Sequence, residues 1–357
     1  MEPYKAKKLP FKFEITNEIL NLLCEAKEAY GEYKGYLKNM SYDYKCFLEN
    51  AFINDIFYSF KIDNAKIEKD NMFYMSYMNK SNTSILYNNI KKSLLIGLTS
   101  SNKIGFSLET FNKINKTLLN GLKKDNSTKR SGHLRKTQTY LLKPGIAGSS
   151  VSFVPPVHTE LNSLMKNLCE YINSKVDESF ISTAITHYQF EKIHPYVSNN
   201  GKMGRVLIPI QYSYYKNEPP ILFISESIDN LRNTYFTMLS NEEDDILHFV
   251  KFILQCIIEQ CTLNIKKIKK LNKLYKHDLE EFKTEIGGST IYKVYPEILR
   301  RIVFTTADMV NDCNLHINSV NKVLNKLVEK GYLIKEKKKG TNRVTFCYKA
   351  ANDIFTK

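Results

Sequence analysis

The sequence is poor in the residues that mark non-globular chains. Its 357 residues include only 14 glycines and 10 prolines, which excludes a collagen-like or linker-like composition. With 43% apolar and 25% charged residues, the chain is also too apolar to be disordered. Because a domain has roughly 100–200 residues, this length predicts two or three globular domains.

Long apolar runs and paired cysteine motifs are also lacking. The most apolar run, 246–258, has about thirteen residues, fewer than the roughly 20 that a membrane-spanning helix needs, so we expect no membrane partner. The residues after Met1 show no apolar segment with a cleavage site, so we expect no secretory signal. Seven cysteines without a CxxC pair predict buried thiols in a reducing cytoplasm rather than disulfides or a zinc site.

Positive charge is concentrated near the C-terminus. The chain has 52 Lys and Arg against 37 Asp and Glu, a net charge of +15. Residues 262–357 hold 20 of the basic and 10 of the acidic residues, so this quarter carries two-thirds of the excess. Such a basic segment favours DNA as a partner.

The same segment has the pattern of three helices followed by a hairpin. Apolar stretches at 296–304 and 306–313 precede a third helix predicted at 319–330, with Ser319 as its N-cap. A turn at Gly331 then leads into a basic β-hairpin, which completes the order of a winged helix-turn-helix. Winged helices also serve as protein docking modules, so both functions stay open. The third helix offers polar side chains suited to phosphates and base edges: Asn318, Asn321, Lys322, Asn325 and Lys326.

The most informative stretch runs from His194 to Arg205 and reads HPYVSNNGKMGR. A helical apolar pattern upstream ends at Pro195, which places His194 at the end of a helix and the start of a loop. Residues 198–201 tolerate left-handed backbone, and a second helix is predicted to begin near Lys202. Backbone N–H groups at the start of that helix, with two basic side chains one turn apart, suit a polyphosphate.

This stretch resembles the signature of the Fic family, HPFx[D/E]GNGRxGR. Similarity extends to residues 8–64, which resemble the family's helical N-terminal region, and to 134–140 and 153–156, which resemble its flap and the following strand. Residues 232–239 resemble the helix that closes the adenosine pocket. The resemblance implies a mainly α fold, a Fic-type helical bundle with a small β-hairpin flap plus a C-terminal winged helix-turn-helix. The implied domains are 1–90 with an inhibitory helix, 91–261 as the catalytic core, and 262–357 as the winged helix.

The resemblance also implies an enzyme. Family members mostly transfer AMP from ATP to a Ser, Thr or Tyr hydroxyl of a protein, so we expect a protein adenylyltransferase that modifies a target protein and itself. His194 would be the general base for the target hydroxyl, and Tyr235 would pack near the adenosine. The target-docking flap would contain Thr137, Gln138, Thr139 and Tyr140. The nucleotide-binding set would contain Ser198, Asn199, Asn200, Gly201, Lys202, Gly204 and Arg205.

Three positions depart from the family signature. Ser198 stands where an acidic residue holds Mg²⁺, and a hydroxyl is a poorer ligand for a hard cation than a carboxylate. The metal ligands are therefore unknown, and we expect a weakened dependence on Mg²⁺ or Mn²⁺. Asn199 replaces a glycine, and Lys202 replaces an arginine, which keeps the charge but loses the bidentate fork.

A second family feature is an inhibitory motif, [S/T]xxxE[G/N], which residues 59–64 resemble with the sequence SFKIDN. Ser59, Asp63 and Asn64 occupy its defining positions, and Asp63 stands in place of Glu. Because its side chain is one methylene shorter, by about 1.5 Å, we expect leaky autoinhibition through Arg205. The simpler alternative is that this segment only ends a helix.

The altered motif leaves other functions open. A chain with weak catalysis would act as a nucleotide-sensing or DNA-binding regulator, with DNA bound through 262–357. A changed reaction on the same fold, such as phosphorylation or AMP removal, is a third alternative. Family members often dimerise, which leaves a homodimer open without identifying an interface.

Overall fold

A computed structural model describes residues 1–78, 81–123, 126–142, 151–241, 245–286, 288–337 and 343–357. Within these ranges the chain is mainly α-helical, as predicted. The helices are α1 (Asn17–Lys38), α2 (Tyr44–Ile62), α3 (Asn82–Ile104), α4 (Leu108–Leu118), α5 (Asn126–Lys129), α6 (Leu161–Ser174), α7 (Ser179–Ile193), α8 (Asn200–Lys216), α9 (Ser225–Asn230), α10 (Arg232–Ser240), α11 (Ile246–Glu285), α12 (Thr290–Arg301), α13 (Thr306–Cys313), α14 (Ile317–Glu329) and α15 (Lys349–Thr356). The strands are β1 (Leu141–Leu142), β2 (Val151–Phe153), β3 (Val303–Phe304), β4 (Leu333–Glu336) and β5 (Thr345–Tyr348). Short 3₁₀ helices occupy Lys69–Tyr74 and His158–Glu160.

The chain divides into two compact units. Unit 1 contains residues 1–28 and 85–259, and unit 2 contains residues 29–84 and 260–357. The breaks near residues 85 and 260 lie close to the predicted boundaries, but most of the N-terminal helical region belongs to the same unit as the C-terminal segment. The three predicted domains therefore stay a prediction, and the two units give the observed grouping.

Helices α7 and α8 form the centre of unit 1. Every residue of α7 is buried, and the Glu178 carboxylate caps the helix by accepting the N–H of Phe180 at 2.7 Å. Phe180 stacks on Tyr212 of α8, with ring centroids 4.9 Å apart. Aromatic contacts of this kind add about 0.5–1.5 kcal/mol to the burial of the rings, so the two helices support the loop between them firmly.

A small hairpin in unit 1 matches the predicted flap. Strands β1 and β2 are antiparallel, with Leu141 opposite Phe153, and residues 143–150 between them lie outside the described ranges. The N–H of Tyr4 donates to the carbonyl of Val154 at 2.8 Å. The N-terminal segment therefore contacts the chain just after β2, and β1 is an edge strand of the described two-stranded sheet.

In unit 2, α12, α13 and α14 are followed by the antiparallel strands β4 and β5, the order predicted from the sequence. The short strand β3 pairs with the other edge of β5, so the sheet order is β3-β5-β4. A two-residue strand is too short to produce an alternating pattern, which is why the sequence did not predict it. Residues 338–342 of the predicted hairpin lie outside the described ranges, and the winged-helix assignment stays a prediction.

Two helix starts in unit 2 differ from those predicted. Helix α12 begins at Thr290, so Pro296 lies inside it and does not begin it. Helix α14 begins at Ile317 because the His316 side chain accepts the N–H of Asn318 at 3.3 Å and serves as N-cap. A histidine is not among the usual capping residues, and the sequence pattern therefore favoured a serine three residues later.

Helix α2 packs against the C-terminal helices within unit 2. The Asn50 side-chain amide donates to the carbonyl of Leu299 in α12 at 2.8 Å, and Asn50 is fully buried. Beside it, the carboxylate of Glu49 lies 3.1 Å from the Arg300 guanidinium. The helix that carries the predicted inhibitory motif is therefore part of the same core as α12.

Helix α11 is longer than the apolar run predicted from the sequence. It has 40 residues and is long and apolar enough to cross a membrane by length and composition, with a mean hydropathy of 1.4 in its most apolar window. However, 56% of that window is buried inside the protein, as in the core helix of a globular chain. Length and composition alone are thus a weak indication of a membrane span.

The cysteines follow the prediction with one clear exception. Five of the seven are buried and none forms a disulfide, whereas Cys24 is exposed on α1 and Cys313 is half-buried. Burial raises the pKa of the Cys46 and Cys169 thiols to about 12, so they are neutral and act as small apolar side chains.

Candidate active site in unit 1

His194 lies at the C-terminal end of α7, as predicted. Its backbone is left-handed, with φ 48° and ψ 60°, and its N–H donates to the carbonyl of Phe190 at 3.0 Å. This conformation costs a residue other than glycine roughly 1–2 kcal/mol, so neighbouring contacts have to hold it. The half-buried His194 then opens the loop that leads to α8.

Asn200 closes this loop on itself. Its side-chain oxygen accepts the N–H of Tyr196 at 3.0 Å, and its amide nitrogen donates to the carbonyl of Tyr196 at 2.8 Å. The Tyr196 hydroxyl in turn donates to Asn112 of α4 at 2.9 Å. Both ends of the Asn200 amide thus help to fix the loop, and the predicted phosphate contact stays a prediction.

The first turn of α8 begins directly after this loop, at Asn200 and not at Lys202 as predicted. Asn199 precedes it with φ 60° and ψ 23°, the left-handed conformation expected there, and its side chain donates to the Ser198 hydroxyl at 3.3 Å and does not cap the turn. N–H groups in a first turn need partners from outside the helix, and an anion is a suitable one. Gly201 and Lys202 lie half-buried in this turn.

Gly204 allows α8 to approach α7 closely. A Cβ atom at this position would lie 2.1 Å from Oε1 of Glu191 and 3.1 Å from Cε1 of His187. Glu191 and His187 are both buried on α7, so neither has open space to move into. The predicted nucleotide-binding glycine therefore has a packing task that a larger residue cannot perform.

Arg205 is buried on the same helix, with 2% of its surface exposed. Burial, together with a smaller contribution from the Arg205 charge, lowers the pKa of His187 from 6.5 to about 3. His187 is therefore neutral at pH 7, and its Nε2 forms a hydrogen bond of 3.0 Å with the Tyr235 hydroxyl. The interior behind the loop thus combines a permanent cation with a neutral imidazole.

Tyr235 belongs to a buried aromatic cluster in unit 1. It is 1% exposed, and its ring stacks on His187 with centroids 5.9 Å apart and contacts Phe236, Phe249 and Phe252. A ring buried to this extent offers little surface to a ligand. A contact with adenosine would require α10 to move, so the predicted contact stays a prediction.

The flap residues lie on the chain that leads into β1. Thr137 and Tyr140 are exposed, with 56% of Tyr140 accessible, whereas Gln138 and Thr139 are half-buried. The Gln138 side chain donates to the carbonyl of Pro155 at 2.8 Å and ties the flap to the segment after β2. Because β1 is an edge strand of the described two-stranded sheet, an extended peptide can add beside it.

The flap and the His194 loop meet at Arg135. Its guanidinium donates from Nε to the carbonyl of His194 at 2.9 Å and from one terminal nitrogen to the carbonyl of Thr137 at 3.1 Å. The other terminal nitrogen donates to the carbonyl of Pro156. One side chain therefore brings the predicted general base and the predicted docking segment together.

Comparison with known sequences identifies the same region of the chain. Residues 105–211, which include α7, the His194 loop and most of α8, match the sequence model of the Fic/DOC family. The chain therefore contains a Fic/DOC domain. The stretch HPYVSNNGKMGR, which resembles the Fic signature, lies within this domain, and the predicted family is confirmed.

Curated relatives of the Fic domain carry the name protein adenylyltransferase Fic. The protein from Drosophila grimshawi is 30% identical over 131 residues, which is 35% of this chain and 24% of that protein. The protein from Drosophila willistoni is 29% identical over 130 residues, which is 35% of this chain and 23% of that protein. The chain thus matches about a quarter of the length of these relatives.

Solved structures confirm the Fic-type helical fold. A Fic family protein from Desulfovibrio desulfuricans G20 has a TM-score of 0.56 at 16% identity, covering 94% of this chain and 97% of that chain. A Fic domain containing signaling protein from Bacteroides thetaiotaomicron has a TM-score of 0.54 at 18% identity, covering 69% of this chain and 97% of that chain. At these identities the likeness is one of fold.

The loop of the Fic domain does not offer a carboxylate to a metal ion. Residues 194–205 contain no Asp or Glu, and the Ser198 hydroxyl already accepts a hydrogen bond from Asn199. These donors do not fit a dedicated Mg²⁺ site, which needs oxygen ligands with negative charge. Elsewhere in the described ranges, His277, Asp278 and Glu281 of unit 2 form a group, but both ring nitrogens of His277 already face carboxylates.

The predicted inhibitory motif forms the end of α2 in unit 2. Ser59 is buried, whereas Asp63 is the exposed C-cap residue and Asn64 follows it with φ 61°. This geometry agrees with the simpler alternative that the segment ends a helix, and it leaves the regulatory role a prediction. An asparagine in the left-handed region is a common way to stop a helix.

Sequence reasoning missed three residues that shape the Fic site. Arg135 belonged to the flap motif without a role, and His187 and Glu191 were part of an apolar helical pattern. A signal for the last two was present, because polar residues within a fully buried helix need a specific reason to be there.

Proposed function

We propose that the Fic domain transfers AMP from ATP to a hydroxyl side chain of a protein. One observation carries the proposal: the Arg135 guanidinium donates to the carbonyls of both His194 and Thr137. The predicted base and the segment that leads into the edge strand β1 are therefore held by the same side chain. The names of the Drosophila relatives support the same reaction. An acceptor hydroxyl on a peptide beside β1 would arrive next to His194.

In this proposal His194 is the general base. Its imidazole takes the proton of the target hydroxyl while the hydroxyl oxygen attacks the α-phosphorus of ATP. The new O–P bond forms as the bond to the β-phosphate oxygen breaks, and pyrophosphate leaves with its electron pair. The loop fixed by Asn200 holds His194 for in-line attack, and such positioning supplies much of the rate in phosphoryl transfer.

The start of α8 would hold the nucleotide phosphates. The N–H groups around Gly201 and the charge of Lys202 provide the electrostatic stabilisation, and the buried Arg205 adds a permanent positive charge one turn further on. A divalent cation would arrive with ATP and shield its phosphates, because the loop lacks a carboxylate. We therefore propose a weakened dependence on Mg²⁺ or Mn²⁺.

The flap would dock the target as an added strand. Main-chain hydrogen bonds to β1 would hold an extended segment with little demand on its sequence. The exposed Tyr140 is a nearby hydroxyl of this same chain, which makes modification of the protein by itself part of the proposal. We also propose a cytoplasmic location, supported by seven cysteines that form no disulfide, and the homodimer stays a prediction.

The test uses the purified chain with ATP labelled on either the α- or the γ-phosphate. AMP transfer attaches the α-label to protein and adds the mass of one AMP, whereas γ-label on the protein indicates phosphorylation. His194→Ala should abolish the transfer, and His133→Ala, an exposed histidine near the flap, should not. No α-label on the protein or on added target proteins, with or without Mg²⁺, refutes the proposal.

Weak autoinhibition by Asp63 is a second part of the proposal. The short side chain of Asp63 should restrain transfer only weakly, so Asp63→Gly should raise the rate about two- to five-fold, which corresponds to about 0.4–1 kcal/mol. The exposed Asp70 offers a matched control, since Asp70→Gly should leave the rate unchanged. An activation of 100-fold would contradict leaky inhibition.

DNA binding by unit 2 is a second candidate function. Helix α14 leaves Asn318, Ser319, Lys322 and Asn325 exposed while its apolar stripe is buried, as a helix that enters the major groove requires. Lys326, predicted to face DNA, instead donates to the carbonyl of Ile286. Gel shifts with the full chain test this candidate, and no binding of any duplex at low salt rejects it.

A further inference from the structure

Arg135 is a buried cation with an unusual set of partners. It is 1% exposed, and within the described ranges its guanidinium hydrogen-bonds main-chain carbonyls of three segments. These are the end of α7 with His194, the flap at Thr137, and the segment after β2 at Pro156. Its own N–H donates to the carbonyl of Pro195 at 2.9 Å. The partners belong to two parts of the proposed site: the loop that carries the base, and the flap that would bind the target.

Burial of such a charge is costly, and the protein compensates it with oriented dipoles. Burial lowers the pKa of Arg135 to about 10, which still leaves the guanidinium protonated at neutral pH. The carbonyls at the end of α7 lie at the negative end of a helix and stabilise a cation there. An arginine also provides five N–H donors in a fixed fork, which a lysine cannot reproduce.

The contact with His194 matters because of that residue's backbone. His194 is the C-cap of α7, so its carbonyl has no partner within the helix and needs one from elsewhere. Arg135 Nε supplies it at 2.9 Å, while the same group holds the Thr137 carbonyl at 3.1 Å. The flap and the backbone of the base are therefore connected through one side chain.

We propose that Arg135 is a positioning residue that fixes the flap in register with His194, so that a hydroxyl carried by a docked strand meets the base in line. The inference rests on the proposed AMP transfer. Arg135 does not touch the reacting atoms, and its loss should lower the turnover number more than the affinity for ATP. Misplacement of reacting groups by about 1 Å can cost on the order of 100-fold in rate.

The test compares Arg135→Lys with Lys136→Gln, a control at the exposed neighbouring position. With a target peptide and ATP, Arg135→Lys should lower kcat by about 10- to 100-fold and change the KM for ATP less than about two-fold. Added guanidinium at millimolar concentration should restore part of the rate of Arg135→Ala, because it can occupy the vacated position. Lys136→Gln should behave as the wild type.

Hydrogen exchange separates this inference from the proposed activity. Peptides covering 136–141 and 194–199 should both exchange faster in Arg135→Lys, while a peptide from the middle of α7 stays protected. Should Arg135→Lys not fold, Arg135→Gln serves instead, because a neutral amide avoids the cost of a poorly bonded buried charge. Acceleration in one segment alone, or in neither, overturns the inference, even in a chain that transfers no AMP. Acceleration in both with unchanged kcat also overturns it.

Discussion

Replacement of Gly204 by alanine tests how closely α7 and α8 must approach. The added Cβ would lie 2.1 Å from Oε1 of Glu191, where ordinary contacts begin near 3.4 Å, and 3.1 Å from a ring carbon of His187. Overpacking of a filled interior costs about 1–3 kcal/mol. For a unit of this size we expect the melting temperature to fall by about 2–4 °C for each kcal/mol lost. Thermal unfolding followed by circular dichroism measures the change.

A double variant identifies the clash as the cause. Glu191→Ala removes the atom that Gly204→Ala meets first, so the combined loss should be smaller than the sum of the two single losses by about 1 kcal/mol or more. Gly31→Ala is the matched control, since Gly31 lies in α1 with nothing within 4 Å of its added Cβ. That variant should gain about 0.5–1 kcal/mol from helix propensity. Strict additivity, or a stable Gly204→Ala, would refute the packing argument.

Three further variants test the interior and the loop. In the folded chain His187 has a pKa near 3, below its unfolded value of 6.5, so the stability it contributes is lost as pH falls through that window. The difference in unfolding free energy between wild type and His187→Phe should therefore change by about 1.4 kcal/mol per unit between pH 6 and pH 4, measured by urea titration, and a constant difference contradicts the assignment. Asn50→Ala should destabilise unit 2 by about 1–3 kcal/mol, because it leaves the buried Leu299 carbonyl without its donor. Hydrogen exchange of α2 measures this loss, and unchanged protection of α2 would contradict the prediction. Ser198→Asp should raise Mg²⁺-dependent transfer in a metal titration, and an identical metal curve would show that the missing carboxylate does not limit the rate.

Local rules predicted the position of the base but not its surroundings. Pro195 lacks an N–H and restricts the residue before it, so the position of His194 at a helix end followed from two adjacent residues. Asn199 has the left-handed backbone that its residue type tolerates. Asn200 shows the limit of such reasoning. An asparagine in a phosphate-binding loop can bind a ligand or fix the loop, and only the distances to Tyr196 show that this one fixes the loop.

Long-range partners explain what the sequence could not reveal. Arg135 and Lys136 are adjacent basic residues, and nothing in the composition shows that the first contacts His194, 59 positions away, while the second is exposed. The same holds for Asn50, whose partner Leu299 lies 249 positions further along the chain. A division into consecutive domains assumes that neighbours in sequence fold together, whereas α2 groups with residues 260–357 in unit 2.

The charge of unit 2 overstates the basic surface that DNA could contact, and this gives a final prediction. Arg300 and Arg301 are engaged by carboxylates, including that of Asp312, and Lys330 pairs with Glu285. Of the basic residues described on α14 and the following strands, three are exposed and outside such ion pairs: Lys322, Lys335 and Lys337. Because each neutralised phosphate contributes about −0.9 to the slope of log K against log salt, binding through these three lysines should give a slope of about −3. A slope near −9, as the net charge of +10 would produce, would show that further basic residues of unit 2 also contact DNA.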